Sequence, residues 1–500
     1  MQNLNESLQA KYPHLELAIL PLSQVNKDNE SKRIDSEYFK KEYLEKINLL
    51  SKISTKLENL MTSGYYGILP KSDDYLENGL SLVRGKDIRE FSLEISNLVK
   101  VPYDYFQERY QIHKNDILFL VKGATIGYED GVLFILEEPN KKMIFNGSVF
   151  KLQVKNINPA FLYVFMMTKY FTFQKVREVA NNGIEYNSLP TIKNFLIPQF
   201  SQDFQLEIEK LVKQSHEALE DSKRLYKEAQ ELLYKELELD FKNPLKSLLK
   251  SSLQAKKPSE LANINDISKK YPHLNISVRP LSKSLYKSGR LDSEYYQSKY
   301  DLMETKIKSF SHKKLGELVS IQKSIEPGSE AYQDEGIEFV RVANLGKFGL
   351  SKSDIYLNEQ DFSKELKKLA PKKETILLSK DGSIGISYCL EEDLECITSG
   401  AILHLKVKDK REILPQVLSL ILNSIVVKLQ AERDAGGSII SHWKISEIEN
   451  VLIPLFDFKL QEQIALKIQK SFTLRAKSKD LLEYAKVKVE QNIQTPANQA

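Results

Sequence analysis

The chain has 500 residues, more than one ordinary domain of about 150 residues holds, which excludes a single small module. Hydrophobic residues at 41% and charged residues at 28% exclude collagen-like and mostly disordered chains. The formal net charge is only +4, so any nucleic-acid-binding function must rest on where charges lie, not on their total.

The two cysteines and the N-terminus restrict the cellular setting. Cys389 and Cys396 are too few for a disulfide framework and lack the second Cys/His pair of a zinc site, so we interpret them as ordinary thiols. Residues 1–10 are polar, and no run approaches the roughly 18 apolar residues of a membrane span. We therefore expect a cytoplasmic protein without a metal site.

The chain repeats itself over its whole length. Lys-Tyr-Pro-His-Leu at 11–15 recurs letter for letter at 270–274. Further similar segments follow in the same order, namely 21–23 and 280–282, 33–39 and 290–296, 55–60 and 313–318, 83–88 and 340–345, 122–127 and 380–385, and 196–198 and 452–454. This order predicts a tandem duplication whose halves meet near residue 255.

The first predicted helix runs from Glu37 to Leu50. Arg33, Asp35 and Glu37 precede or begin it, and the same pattern recurs at Asp292. Carboxylates beside an arginine can serve acid–base chemistry. Acidic residues also favour a helix N-terminus, and we prefer that interpretation: a helix cap at a scaffold junction or a shared partner contact.

Each half is predicted to be an α+β domain closed by a long helix. Short apolar runs at 116–120 and 375–378 precede turn residues and indicate strands, and 159–179 and 415–431 are helical patterns. The long helices carry seams of apolar and small residues; these are Ile208, Leu211, Ser215, Ala218, Ser222, Leu225, Ala229 and Leu232 in the first, and Ile468, Ser471, Leu474, Ser478, Leu481, Leu482, Ala485 and Val489 in the second. Such seams predict close, antiparallel pairing about a pseudo-two-fold axis.

No catalytic motif with a known mechanism is present. Adjacent prolines are absent, which removes the Asn/Asp-Pro-Pro-aromatic loop of amino-methylating DNA methyltransferases. Gly-x-Gly, Gly-Lys-Ser/Thr and His-Glu-x-x-His are absent as well. The sequence therefore predicts a protein that is not itself an enzyme.

These landmarks resemble a known family. Val-Arg followed three residues later by Asp87 or Asn344, the Lys-x-x-Ser/Thr-Ile-Gly segments and the two Ile-Pro strand ends are similar to the DNA-specificity (S) subunits of type I restriction–modification systems. The repeated arms are also similar to specificity subunits of type IIB systems. The resemblance implies two target recognition domains, each reading half of a split DNA site, and helices that dock methyltransferase (M) subunits. The cofactor S-adenosylmethionine is then expected on the methyltransferase subunits. The complex exists in that family with or without restriction (R) subunits.

On this basis we predict seven segments and a set of DNA-binding residues. The segments are an arm and helix at 1–54, recognition domain 1 at 55–202, spacer helix 1 at 203–240, a connector with the repeated arm at 241–312, recognition domain 2 at 313–457, spacer helix 2 at 458–493 and a disordered tail at 494–500. Basic, amide, hydroxyl and aromatic side chains near turns are the candidates for phosphate and base contacts. In domain 1 they are Tyr65, Tyr66 and Lys71 in a Gly64-containing loop, with Arg84, Lys86, Lys122, Thr125, Asn182 and Tyr186; in domain 2 they are Lys323, Arg341, Asn344, Lys380, Ser383, Ser438 and His442.

Structural alternatives stay open for several candidates. Lys122 and Lys380 could flank a hairpin, and the Tyr65–Tyr66 pair could be core. Arg84 and Arg341 lie on strand-like segments and could form internal ion pairs. Trp443, the sole tryptophan, is expected in the core.

Two other functions compete with DNA recognition. One is a pseudo-symmetric adaptor that binds proteins with both domains. The other is a self-contained nuclease with an unrecognised site. Steep salt dependence of binding would separate DNA recognition from the adaptor.

Overall fold

The computed structural model describes residues 2–17, 19–26, 29, 32–88, 93, 95, 98–123, 126–179, 186–254, 289–435 and 441–495. The second arm at 270–274 and the last five residues of the predicted tail lie outside these residues. The helices are α1 (Gln2–Lys11), α2 (Leu22–Val25), α3 (Lys41–Ser51), α4 (Leu57–Leu60), α5 (Gly85–Ile88), α6 (Pro159–Met166), α7 (Lys169–Arg177), α8 (Leu189–Asn194), α9 (Gln202–Glu236), α10 (Pro244–Gln254), α11 (Ser298–Lys308), α12 (Leu315–Leu318), α13 (Glu359–Leu369), α14 (Pro415–Leu422), α15 (Ile425–Asp434), α16 (Ile445–Glu449) and α17 (Phe458–Gln494). Among the described helices, none is both long and apolar enough to cross a membrane.

The strands are short and, together with the helices, agree with the predicted α+β class. They are β1 (Ser54–Lys56), β2 (Met61–Tyr66), β3 (Leu80–Val83), β4 (Val99–Val101), β5 (Ile117–Leu120), β6 (Val132–Phe134), β7 (Met143–Phe145), β8 (Val149–Val154), β9 (Leu196–Pro198), β10 (His312–Lys314), β11 (Val319–Lys323), β12 (Tyr332–Gln333), β13 (Ile337–Val340), β14 (Leu345–Gly346), β15 (Gly349–Leu350), β16 (Tyr356–Leu357), β17 (Ile376–Ser379), β18 (Ser387–Cys389), β19 (Cys396–Thr398), β20 (Ile402–Val407) and β21 (Leu452–Pro454). The chain divides into unit 1, residues 1–220 with 475–500, and unit 2, residues 221–474.

Unit 1 is built on a four-stranded sheet in the order β2-β8-β5-β6. All four residues of β5 are buried, because this apolar run has a covered face on either side. Phe119 of β5 and Phe150 of β8 contact each other and pack with helix residues such as Phe171. A second sheet, β4-β3-β7, and the pair β1-β9 complete the unit.

Unit 2 contains the same strand order in its main sheet, β11-β20-β17-β18. Its second sheet has four strands in the order β12-β16-β13-β19. The two-stranded sheets β10-β21 and β14-β15 complete the unit. Trp443 is 1% exposed and lies in the core, as predicted.

Each predicted mid-domain helical pattern is in fact two helices. In unit 1, α6 ends at Met166 and α7 begins at Lys169, because Thr168 between them is extended and its hydroxyl donates to Phe165 O. In unit 2, Ser424 separates α14 from α15 and accepts a hydrogen bond from Val426 N. Both breaks lie between apolar segments that continue the same helical pattern, so periodicity gives no sign of a new N-terminus.

Segments of α9 and α17 pair within each unit through buried serines. In unit 1, the Ser215 and Ser478 hydroxyl oxygens are 2.8 Å apart, and each hydroxyl also donates to the other residue's carbonyl. In unit 2, Ser222 and Ser471 hydroxyls lie 3.0 Å apart. The contacts run in opposite directions along the two helices in each unit, since Glu207 pairs with Lys488 in unit 1 and Glu228 with Lys467 in unit 2. The small serine side chains allow this close approach.

The first predicted helix begins later than expected. Asp35 accepts a hydrogen bond from Tyr38 N and caps an isolated turn, while α3 starts at Lys41 without a side-chain cap. Arg33 binds Asp35 with two nitrogens and donates to the carbonyls of Arg177 and Val179. These contacts hold the arm against the end of α7, which supports the scaffold-junction interpretation.

Candidate nucleic-acid interface

In unit 1, β5 leads into a tight turn that a second segment covers. Asn187 N donates to Val121 O at 2.9 Å, and Lys122 forms an isolated antiparallel bridge with Tyr186. Gly123, which follows, has φ of +103°, a conformation that side chains disfavour. Lys122 and Tyr186 are therefore cross-strand neighbours at the end of the sheet.

Unit 2 repeats this backbone arrangement with other side chains. Trp443 N donates to Lys380 O at 2.9 Å, Asp381 bridges His442, and Gly382 has φ of +71°. By these hydrogen bonds the counterpart of Lys122 is Asp381 and not Lys380. The pairing of Lys122 with Lys380 in the sequence repeat is therefore wrong by one residue, because the segment from Gly123 to Gly127 is one residue longer than that from Gly382 to Gly385.

Asp381 is the centre of a small charged cluster. Its carboxylate accepts hydrogen bonds from the Lys380 ammonium group and, at 2.9 Å, from the His442 Nδ1. Burial by itself raises the pKa of Asp381, but these two hydrogen bonds outweigh it and the net change of the pKa is downward. The Lys380 side chain is 15% exposed and that of His442 is 64% exposed, so His442 is the member open to a ligand.

Tyr65 and Tyr66 do not lie in a loop, as predicted, but in strand β2. Gly64 precedes the two tyrosines in the same strand and pairs with Leu152. A Cβ atom at Gly64 would lie 2.5 Å from the Phe150 ring, so the glycine is needed for close packing and not for a turn. Tyr66 donates to Asn187 O at 2.8 Å, and burial raises its pKa to about 12. Tyr65 is the exposed member of the pair.

Arg84 and Arg341 directly follow β3 and β13, respectively, and both are engaged within the protein. Arg84 binds Asp87 through its backbone N and Nε. Arg341 binds Asp354 through Nη2 at 3.0 Å, and its backbone N donates to Asn344. Asn344 is buried and its amide donates to Lys352 O, which favours a structural role for this candidate.

The remaining candidates divide between exposed residues and residues outside the described structure. Lys71, Lys86, Lys323 and Ser383 are exposed. Thr125, Asn182 and Ser438 fall outside the described residues. DNA contact by all sixteen candidates stays a prediction.

Sequence reasoning missed two basic surfaces. In unit 1, Lys100 lies near Lys141, and burial together with this neighbouring charge lowers the pKa of Lys100. Lys142 lies 4.1 Å from the Phe106 ring centre. In unit 2, Lys364, Lys367 and Lys368 share one exposed face of α13. The Lys141–Lys142 doublet and the lysines at i, i+3 and i+4 are visible in the sequence, but they lie away from the turns where DNA contacts are predicted.

Three residues away from these surfaces, Cys389, Cys396 and His404, are buried and have shifted pKa values. Both cysteines are free and buried, and burial raises the pKa of Cys396 to about 12. His404 is 2% exposed, bonds to Thr398 at 2.8 Å, and has a pKa lowered by burial to about 4. In the part of the chain that the structure describes, no three His, Cys, Asp or Glu side chains group as metal ligands do.

A family model matches part of the chain. Residues 307–484 match the type I restriction modification DNA specificity domain. For this part of the chain, the match confirms the family resemblance recognised from the sequence landmarks.

Similar proteins include a curated relative and two solved structures. Over 154 residues the chain is 28% identical to the type I restriction enzyme EcoBI specificity subunit of Escherichia coli, covering 30% of this chain. The match spans 31% of the length of that relative. Among solved structures, the type I restriction–modification S subunit from M. genitalium aligns over 88% of this chain and 94% of its own, with 14% identity and a TM-score of 0.36. The HsdS subunit from Thermoanaerobacter tengcongensis aligns over 88% and 96%, with 15% identity and a TM-score of 0.28.

Proposed function

We propose that this chain is the DNA sequence-specificity subunit of a restriction–modification complex and is not itself an enzyme. The observation that carries the proposal is the match of residues 307–484 to the DNA specificity domain. The main sheet of unit 1 has the same strand order as that of unit 2, which supports a second recognition domain at 55–202. Two domains with unlike surfaces read an asymmetric, bipartite DNA site, one half-site each.

The helices supply the second part of the proposal, which concerns partners. The serine contacts of α9 with α17 support a tandem duplication with pseudo-two-fold related spacer helices. Their outer faces carry exposed charged residues, including Lys210, Lys213 and Lys477, and dock adenine methyltransferase subunits. S-adenosylmethionine then binds to those subunits, and methylation and cleavage are reactions of the partners.

Methylation mapping of host DNA tests the proposal. Single-molecule sequencing compares a strain with the gene intact, a strain with the gene deleted and the deletion strain carrying the gene on a plasmid. We expect one split adenine motif to lose methylation on deletion and to regain it on complementation. A methylome that is unchanged by deletion, in a strain where the protein is detected, would contradict the proposal.

Binding measurements separate DNA recognition from a protein adaptor. The purified complex is titrated with duplex DNA containing the split motif at several salt concentrations. Each phosphate neutralised contributes a slope of about −0.9 to the plot of log affinity against log salt, so a steep negative slope is expected. A flat plot would favour protein binding, and cutting of plasmid by the chain alone with Mg²⁺ would favour the nuclease.

A further inference from the structure

The same backbone position carries opposite charges in the two units. Lys122 faces Tyr186 in unit 1, and Asp381 faces His442 in unit 2, each through an isolated antiparallel bridge next to a positive-φ glycine. Tyr186 is 44% exposed, and the His442 side chain is 64% exposed. A common backbone thus presents one exposed ring in each unit and places a different charged residue beside it.

Asp381 fixes the orientation of the His442 ring. An ionised carboxylate can only accept hydrogen bonds, so the His442 Nδ1 at 2.9 Å carries the proton. In the neutral ring, Nε2 is then an acceptor. Among the described residues, no hydrogen bond to Nε2 is formed, and the exposed ring leaves it open to a ligand.

The charge of the cluster argues against a phosphate contact. Asp381 also binds the Lys380 ammonium group, so the positive charge of Lys380 is compensated within the protein. A carboxylate beside the ring repels phosphate, whereas an acceptor nitrogen matches the exocyclic amino group of adenine or cytosine in the major groove. Unit 1 differs because Lys122 and the Tyr186 hydroxyl offer donors, which match guanine acceptors.

We propose that the Lys122–Tyr186 and Asp381–His442 pairs are equivalent specificity elements of the two half-sites. His442 contacts a base amino group through Nε2, and Asp381 is a positioning residue that acts through His442. This inference rests on the proposed function, since it assigns bases to a DNA-reading surface. It adds Asp381, which the sequence-based candidates did not include.

A charge exchange between the units is the direct test. The host gene is replaced by the alleles D381K/H442Y and K122D/Y186H, and methylated motifs are mapped by single-molecule sequencing. We expect D381K/H442Y to change bases in one half of the split motif and K122D/Y186H to change bases in the other half. Methylation of the original motif should fall about five- to hundredfold in each case. The exposed neighbour variant K444M is the control and leaves the motif unchanged.

Single variants separate positioning from packing. D381N loses the ion pair with Lys380 but keeps an oxygen that accepts the His442 proton, so it should retain the base preference. D381A removes that oxygen, and H442F removes the ring nitrogens, so both should make the contacted position degenerate. If D381N loses the base preference as D381A does, Asp381 acts through Lys380; if both variants keep it, Asp381 is not needed. Either outcome would overturn its assigned role.

The outcomes also separate this inference from the function on which it rests. If deletion of the gene abolishes a split motif but H442F and D381K/H442Y leave its bases unchanged, the inference fails and the function stands. If deletion changes no motif, the function itself fails. If D381K/H442Y abolishes all methylation through misfolding, H442F still decides, because it alters a single exposed side chain.

Discussion

Two buried polar side chains occupy the same place in the main sheets of the two units. Lys151 of β8 pairs with Leu118 in unit 1, and His404 of β20 pairs with Leu377 in unit 2. Lys151 donates to Gln111 O and lies 3.8 Å from the buried Asp116, whereas His404 is neutral and bonds to Thr398. The same buried position thus holds a lysine with a charged partner in unit 1 and a neutral histidine in unit 2. Two sheets with the same strand order can therefore differ in the polar residues that they bury.

Breaking the charged pair should have the largest effect. Lys151→Met leaves Asp116 as a buried carboxylate without its cation, which should lower the free energy of unfolding of unit 1 by about 3–5 kcal/mol. Lys151→Met combined with Asp116→Asn removes the carboxylate charge as well and should recover all but about 1–2 kcal/mol. Hydrogen exchange of the β8 and β20 amides measures the two units separately, and an unchanged β8 would contradict the prediction.

The neutral counterpart should make unit 2 sensitive to acid. The pKa of His404 is lowered from 6.5 to about 4, so as the pH falls below 6.5 the unfolded chain takes up a proton that the folded chain refuses. Stability that is complete above pH 6.5 is therefore lost progressively towards pH 4, on the order of 3 kcal/mol in total. Urea unfolding between pH 4 and 7 should show this loss, and His404→Leu should abolish this contribution.

Overfilling the serine contacts should affect both units alike. Ser215→Leu in unit 1 and Ser222→Leu in unit 2 place a large side chain where two helices touch, at a cost of about 1–3 kcal/mol each. Thermal unfolding of the two variants measures this, with the exposed Gln214→Leu as a matched control. If Ser215→Leu were as stable as the control, α9 and α17 would be able to move apart at Ser215 at little cost in free energy, which would contradict the prediction.

The smallest effect contrasts Tyr66 with Lys323, which hold equivalent strand positions opposite Phe150 and Leu403. Tyr66→Phe removes the hydrogen bond to Asn187 O and should lower stability by about 1 kcal/mol. Lys323→Met alters an exposed side chain and should change stability by less than about 0.5 kcal/mol. Urea titrations of both variants would refute this contrast if Lys323→Met were the more damaging.

Sequence patterns predicted the framework better than the surface. The apolar run at β5 and the seam of α9 are long-range patterns that burial imposes, and both elements exist. The break at Thr168 was not predictable, because apolar residues continue on either side. The sequence repeat aligns Lys122 with Lys380, because Lys-x-x-Thr-Ile-Gly and Lys-x-x-Ser-Ile-Gly match without a gap. Only the backbone pairing shows that the counterpart of Lys122 is Asp381, one residue later.

The close approach of Gly64 and Phe150 has a consequence for how such chains diverge. The positions equivalent to Gly64 and Phe150 in unit 2 are Ile321 and Leu403. Unit 2 therefore has a larger residue than unit 1 at the first position and a smaller one at the second. Either exchange alone is harmful: Gly64→Ile would collide with the ring, and Phe150→Leu would leave a void. The two positions should therefore change together among relatives, with each substitution tolerated only in the presence of the other.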